Sequence, residues 1–586
     1  MNFLRNFLAS ILGCMVAFGI IFIMFFVFVS LISTDEDSVV VKDSSILEIQ
    51  LQRPISDYTG SNDLDPFYGI FEESQGLDEI LHAIVVAKDD ERIKGISINN
   101  NFIIAGLAQI QTLRKTLLDF KNTGKFIYTY GDFYTQKDYY LASVADSIFL
   151  NPVGVLDFKG LSSEVLFFKD LQEKTGVKME VIRHGKYKSA VEPFLENEMS
   201  DANRSQITAL IQSLWNSMVS EISDGRGISE ESLNVIADTL GGRSPKYAKM
   251  NGLIDDIVFY DEYENILRDA LSYGKGDKIN YITIDDYTKY SNKKVLKSGS
   301  DKIAVVFSQG EIFYGEGGPN VIGQGIINNA LIKAREDKNV KAIVLRVNSP
   351  GGSALTSDII WREVELTKAV KPVVVSMGNM ATSGGYYIAA AADKIYAEPT
   401  TITGSIGVFG TIPNMSGLAK SIGINAEQVG TNTNSIDYSL FEPMKDEFRN
   451  TVEESIEETY GTFLQRVSKG RNISMERADS LAQGRVWSGV DAKRIGLVDE
   501  LGTLEDAIAA AASMVELDEY GIKKLPKYKS GFERFMEDLN GASAKIKENI
   551  IREEIGNEAH SILLEIKSVM KQKGVQARIP FMLNIK

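Results

Sequence analysis

The sequence predicts an α/β protein built from two tandem β/α repeats carried behind an N-terminal membrane helix. Three observations lead there. Residues 87–152 recur at 334–399 without a gap, an offset of 247 that pairs Asp90 with Asp337, Gly131 with Gly378, Tyr139 with Tyr386 and Pro152 with Pro399. Within each copy, short runs apolar on every position alternate with segments of helical spacing, the pattern of parallel strands covered on both faces. Ahead of both copies, residues 6–34 hold no charged side chain.

The elements follow in order. At about 1.5 Å per residue the N-terminal run is long enough to cross a hydrocarbon core of ~30 Å. It exceeds the apolar region of a cleavable signal, and Ser30-Leu31-Ile32-Ser33 is a poor small-x-small cleavage site, so an uncleaved anchor is expected. Arg5 before the span and Asp35, Glu36 and Asp37 after it place the N-terminus in the cytoplasm and the body outside by the positive-inside rule. In the first copy the pattern predicts strands over 45–52, 95–99 and 126–130 and helices over 80–87, 107–120 and 137–144. The second copy predicts strands over 303–307, 342–347 and 373–376 and helices over 326–334, 357–369 and 386–392. A late echo, Gly252-Leu253-Ile254-Asp255 against Gly496-Leu497-Val498-Asp499, extends the duplication over most of the body. Residues 275–300 are polar and read as the connection between copies; beyond Leu525 the chain is charged and helical in pattern, ending in the apolar Ile579-Pro580-Phe581-Met582-Leu583. The expected divisions are 1–44 (stub and anchor), 45–300 (first repeat), 301–525 (second repeat) and 526–586 (C-terminal extension).

With 586 residues, a net charge of −16 and no long basic run, a nucleic-acid partner is not expected. Cys14 is the only cysteine, so no intrachain disulfide forms. No His/Cys/Asp/Glu cluster has metal-ligand spacing, and no cofactor is expected.

The copies diverge where chemistry would sit. The second reads Asn348-Ser349-Pro350-Gly351-Gly352 and Thr382-Ser383-Gly384-Gly385; the first has Asn101-Phe102-Ile103-Ile104-Ala105 and Thr135-Gln136-Lys137-Asp138 there. Ser383 falls between a strand and a helix, beside glycines that allow close backbone approach and a helix start that offers free N–H groups to an oxyanion. Both Gly-rich loops lie at the carboxyl ends of strands, where open parallel sheets bind ligands. Ala381 occupies the first glycine position of a G-x-S-x-G elbow, against an α/β-hydrolase. A serine nucleophile requires a base. Of the three histidines, His82 and His560 lie in helical stretches and His184 in a loop; the other candidate is Lys188, whose spacing alone reads as solvated. A lysine acts as base only if its pKa drops by ~3 units, roughly 4 kcal/mol, which takes burial or a nearby cation.

N-S-P-G-G (348–352), M-A-T-S-G-G-Y-Y (380–387), T-I-T-G-S-I-G (401–407) and Y-K-S-A-V-E-P-F (187–194) together resemble the signal peptide peptidase A, or protease IV, family in its long tandem form. The resemblance implies a Clp/crotonase-like fold and a Ser/Lys dyad. It implies Ser383 as nucleophile, Lys188 as base, Ser405 orienting the amine, and Gly384 with Gly351 or Gly352 as oxyanion donors. His184 and Lys186 depart from the family pattern: they either add positive charge that helps lower the lysine pKa or are simply solvated. It also implies a homotetramer on the bacterial inner membrane, with its body on the periplasmic side, that degrades signal-peptide remnants and other hydrophobic peptides. The competing expectations are an acyl-CoA enzyme, which would use the glycines without a nucleophile, and a non-catalytic membrane scaffold.

Overall fold

The computed structural model describes residues 2–33, 39–60, 74–99, 102–294, 298–436, 438–528 and 576–578. The helix Asn2–Ser33 leads the chain, and its Arg5–Met24 stretch has a mean hydropathy of 2.6, long and apolar enough to cross a membrane. Asp35, Glu36 and Asp37 lie outside the described residues, as do Asn101, 529–575 and the apolar end 579–583.

Each repeat forms a sheet with the same strand order. The first runs Asp256–Ile257, Ser147–Leu156, Phe126–Tyr134, Ile93–Ile98, Ser45–Ile49, Asn280–Thr283, all neighbours parallel. The second runs Glu500–Leu501, Lys394–Ala397, Val373–Thr382, Val340–Ser349, Lys302–Gln309, Gly521–Leu525, also parallel. Strands such as Lys302–Gln309 are buried at all but one position, because helices cover both faces. Ile402–Gly404 and Val486–Ser488 extend the second sheet beyond the repeat.

The segment 275–300 is not a plain connection. It supplies the edge strand Asn280–Thr283 and the helix Ile284–Ser291, whose Ile284 and Tyr287 are buried in the first core. Its short strand is the counterpart of Gly521–Leu525, and polar residues conceal it because edge strands need only one apolar face.

The two cores interlock. The strand Lys178–His184, from the first repeat's half of the chain, pairs antiparallel along its whole length with Val408–Asn414 of the second. Ile182 on that strand is buried in the second core, while Ile402 and Val486 join the first. A buried polar knot ties the halves again. Arg346 donates to Asp57 across 2.7 Å, and Asp57 also accepts from Gln109 at 2.8 Å and Asn348 at 3.1 Å. Each buried charge in this knot has a partner, which is the condition for tolerating it away from water.

Candidate active site

The apolar strand Val373–Thr382 runs straight into Ser383, which caps the short helix Gly384–Ala389. Ser383 adopts φ 54°, ψ −112°, a left-handed conformation that costs a non-glycine residue about 1–3 kcal/mol. The surroundings hold it there. Its N–H donates to Gly404 O at 2.7 Å, and its carbonyl accepts from Tyr387 N at 2.8 Å. Ser405 is a second left-handed serine, at φ 52°, fixed by its N–H donating to Arg485 O at 2.6 Å.

The antiparallel pairing of Lys178–His184 delivers the next segment, Gly185 to Lys188, to these serines. Lys188 Nζ lies 2.9 Å from Ser383 Oγ, 3.0 Å from Ser405 Oγ and 3.0 Å from Ser405 O. All three residues have no exposed surface. The expectation from spacing, a solvated Lys188, is overturned: long-range strand pairing buries it. Burial alone holds its pKa well below the ordinary value of 10.5. The Phe409 ring, 5.8 Å from Nζ, supplies an apolar wall.

A residue invisible to the motif argument makes the fit possible. A Cβ at Gly484 would fall 2.6 Å from both Cβ and N of Lys188, so only glycine lets this turn press against the lysine. Gly484 has φ 79°, and its neighbour Gln483 accepts from Tyr187 N at 2.8 Å. Gln206 donates to Tyr187 O at 3.0 Å from the other side. The turn 483–485 thus wedges the lysine loop against the 404–407 loop.

Gly351 and Gly352 sit at φ 98° and 150°, and a Cβ on Gly352 would meet Ile312 O at 2.1 Å. Gly351 N–H donates to Ser349 Oγ at 3.1 Å. The loop approaches the serine's helix closely: a Cβ on Gly385 would lie 3.0 Å from Ser349 O. Asn348 positions the loop by accepting from Met380 N at 3.2 Å.

His184 does not face the serine. It ends the strand Lys178–His184 rather than lying in a loop, its Nδ1 is 2.5 Å from Glu457 Oε1, and its ring packs 4.0 Å from that of Tyr460. Lys186 points its amine over the Tyr187 ring. No neighbouring cation contributes to the lowered Lys188 pKa.

The first copy shows what became of the corresponding place. Phe102 N and Ile103 N, at the positions of Ser349 and Pro350, both donate to the Asp138 carboxylate at 3.0 Å. Asp138 stands where the second copy has Gly385. A carboxylate therefore fills the space that the glycine leaves open. Among the described residues no group of His, Cys, Asp and Glu is placed to hold a metal ion.

The profile of peptidase family S49 matches residues 119–272 and 365–518, one match in each repeat. This chain belongs to peptidase family S49. It is similar to "Protease 4" of Haemophilus influenzae, 40% identical over 447 residues that cover 75% of this chain and 72% of the relative. It is also similar to the "Putative signal peptide peptidase SppA" of Enterococcus faecium, 33% identical over 243 residues, 41% of this chain and 70% of the relative. Among solved structures, a mutant ClpP1 from Listeria monocytogenes aligns with 35% of this chain and 94% of its own at 17% identity, with a TM-score of 0.24. The α/β class rests on the sheets described above. As an S49 member the protein is a serine peptidase, and the acyl-CoA and scaffold readings are not favoured. The apolar N-terminal helix fits a membrane-anchored member of the family.

Proposed function

We propose that Ser383 is the nucleophile and Lys188 the general base of a membrane-anchored endopeptidase that cuts hydrophobic peptides, signal-peptide remnants among them. The observation that carries this reading is the set of three partners around Nζ. A neutral amine has two hydrogens and one lone pair. Ser405 O and Ser405 Oγ can accept the two hydrogens, which turns the lone pair toward the Ser383 hydroxyl at 2.9 Å. In that state Ser383 O–H donates to Nζ. Attack on a peptide carbonyl passes the hydroxyl proton to the amine, which then protonates the leaving nitrogen; water repeats the sequence to release the acyl group. The N–H groups of Gly384 and of Gly351 or Gly352 hold the oxyanion. Ser405 positions the amine. Neither repeat is active alone, because one supplies the base and the other the nucleophile.

The hydrophobic substrate class is supported by the apolar wall at Phe409 and by the name of the Enterococcus faecium relative. The boundaries 1–44, 45–300, 301–525 and 526–586, a homotetramer, and an inner-membrane anchor with the body on the periplasmic side complete the proposal. Ser383→Ala tests it: the variant is expected to fold and to lose cleavage of an internally quenched Leu/Ala/Phe peptide, and cleavage at the original rate would overturn the assignment.

A further inference from the structure

The turn that presses on Lys188 is itself gripped from outside the site. Gln483 has φ 53°, a left-handed conformation that few non-glycine residues adopt. Its main-chain and side-chain N–H groups both end on one buried hydroxyl. Tyr460 Oη, on the helix Asp446–Arg471, accepts from Gln483 N at 3.3 Å and from Gln483 Nε2 at 3.2 Å, and donates to Asp479 Oδ1 at 2.5 Å. Gln483 Nε2 also donates to Asp479 Oδ1 at 2.6 Å. The hydroxyl thereby uses its one hydrogen and both lone pairs. Burial, then the Asp479 carboxylate, raise the phenol's pKa above the usual 10, so it stays a donor.

The opposite side of the turn holds the two loops of the site. Gln483 O accepts from Tyr187 N at 2.8 Å, and Gln483 Oε1 accepts from Lys186 N at 3.4 Å, both just ahead of the base. Gly484 N donates to Ile406 O at 2.8 Å, and Arg485 O accepts from Ser405 N at 2.6 Å. The turn therefore spans from the Lys188 loop to the Ser405 loop, and its position sets how closely the amine meets its acceptors.

We propose that Tyr460 is a positioning residue for the Ser/Lys pair, holding Lys188 against Ser405 through Gln483. This rests on the reading of Ser383 and Lys188 as the peptidase centre and adds the device that keeps the base dry. Without the hydroxyl, Gln483 N loses its acceptor, the left-handed turn relaxes, and Gly484 draws back from the Lys188 stem. Water then reaches the amine. Solvation favours the ammonium, so the neutral base forms only at higher pH. The charged groups packed on the hub are Asp479, Glu457 and His184. Those on the lysine loop are Lys186 and Arg485 over the Tyr187 ring, and Arg183, which donates to Lys188 O at 3.3 Å. Tyr460→Phe leaves every one of them in the chain and keeps the ring that packs on His184.

Steady-state cleavage of an internally quenched Leu/Ala/Phe peptide across the pH range, beside fluorophosphonate labelling of Ser383, tests this in the full-length protein. Tyr460→Phe is expected to lower kcat about 10- to 100-fold with KM little changed, and to move the rising limb to higher pH. Asp479→Ala is expected to do the same. Asp479→Asn, whose Oδ1 still accepts both bonds, is expected to stay close to the wild type in kcat and limb. Wild-type kcat and limb in a folded Tyr460→Phe protein overturn the proposal. Should Tyr460→Phe not fold, the Asp479 pair decides: the same kcat and limb in Asp479→Ala and Asp479→Asn overturn it. Lys188→Met separates this from failure of the catalytic reading. Wild-type labelling in Lys188→Met rejects the base itself; slow labelling there, with wild-type labelling in Tyr460→Phe, rejects the positioning role alone.

Discussion

Replacing Ser405 with alanine removes one of the two acceptors that hold the Lys188 amine, without touching the nucleophile or the base. The amine sits 3.0 Å from Ser405 Oγ and 3.0 Å from Ser405 O, in a site with no exposed surface. The alanine methyl cannot accept a hydrogen bond, so one amine hydrogen loses its acceptor within the protein. An unsatisfied buried polar group costs about 1–3 kcal/mol. If that cost falls on the geometry needed for proton transfer, kcat drops about 5- to 150-fold, with KM little changed. The pH profile moves as well. The base works only when neutral, so activity rises with pH through the Lys188 pKa, which burial already holds well below 10.5. Ser405 Oγ accepts a stronger hydrogen bond from the ammonium than from the amine, so its loss favours the neutral form. The rising limb therefore shifts to lower pH. The assay is steady-state cleavage of an internally quenched apolar peptide across the pH range, with a denaturation curve as a check on folding. An unchanged kcat, or a limb that moves to higher pH, would refute the positioning role.

Two further outcomes follow from the geometry. Gly352→Ala places a Cβ 2.1 Å from Ile312 O in a backbone conformation closed to alanine, so the loop shifts; kcat is expected to fall by about 100-fold or more, as on loss of an oxyanion donor, read by the same assay. Glu398 is buried at the junction of the repeats, accepts from Thr112 at 2.7 Å, and has its pKa pushed up to about 7, chiefly by desolvation. A carboxyl whose folded pKa lies above its unfolded value of 4.5 stabilises the fold fully below pH 4.5, and that contribution fades as pH rises toward 7. Glu398→Gln is therefore expected to match the wild type in denaturant midpoint near pH 4.5 and to exceed it at pH 8, by at most about 3 kcal/mol.

How much of this was legible in the sequence depends on the range of the forces involved. The apolar strands 303–307, 342–347 and 373–376 and the helix 107–120 were readable because two-sided burial and helical spacing are local patterns. Their true ends, such as Thr382 rather than Ser376, were not, because the last turns of strand before Ser383 carry Gly378, Asn379 and Thr382 in a polar loop-like run. The burial of Lys188 leaves no mark in its own neighbourhood: it follows from pairing 178–184 with 408–414 and from the missing Cβ of Gly484, nearly 300 positions away. The strand Asn280–Thr283 was hidden by its polar edge. The tail strand Gln576–Arg578 was hidden because three residues of mixed polarity carry no period at all. The absence of a Gly-lined serine site from the first copy was visible in Asn101-Phe102-Ile103, but the filling of that space by Asp138 needed coordinates. Gly484 did have a signal in hindsight, the glycine of Gln483-Gly484-Arg485 after a helix, which a C-terminal cap explains equally well.

The most direct measurement is the rate at which a fluorophosphonate acylates Ser383 in Lys188→Met. Methionine fills the buried volume with an uncharged chain of similar length, so the fold should persist, as a denaturation midpoint no lower than the wild type's would show. The account predicts labelling slowed by about 100- to 10,000-fold, the usual contribution of a general base. Labelling at the wild-type rate in a folded Lys188→Met protein would contradict it.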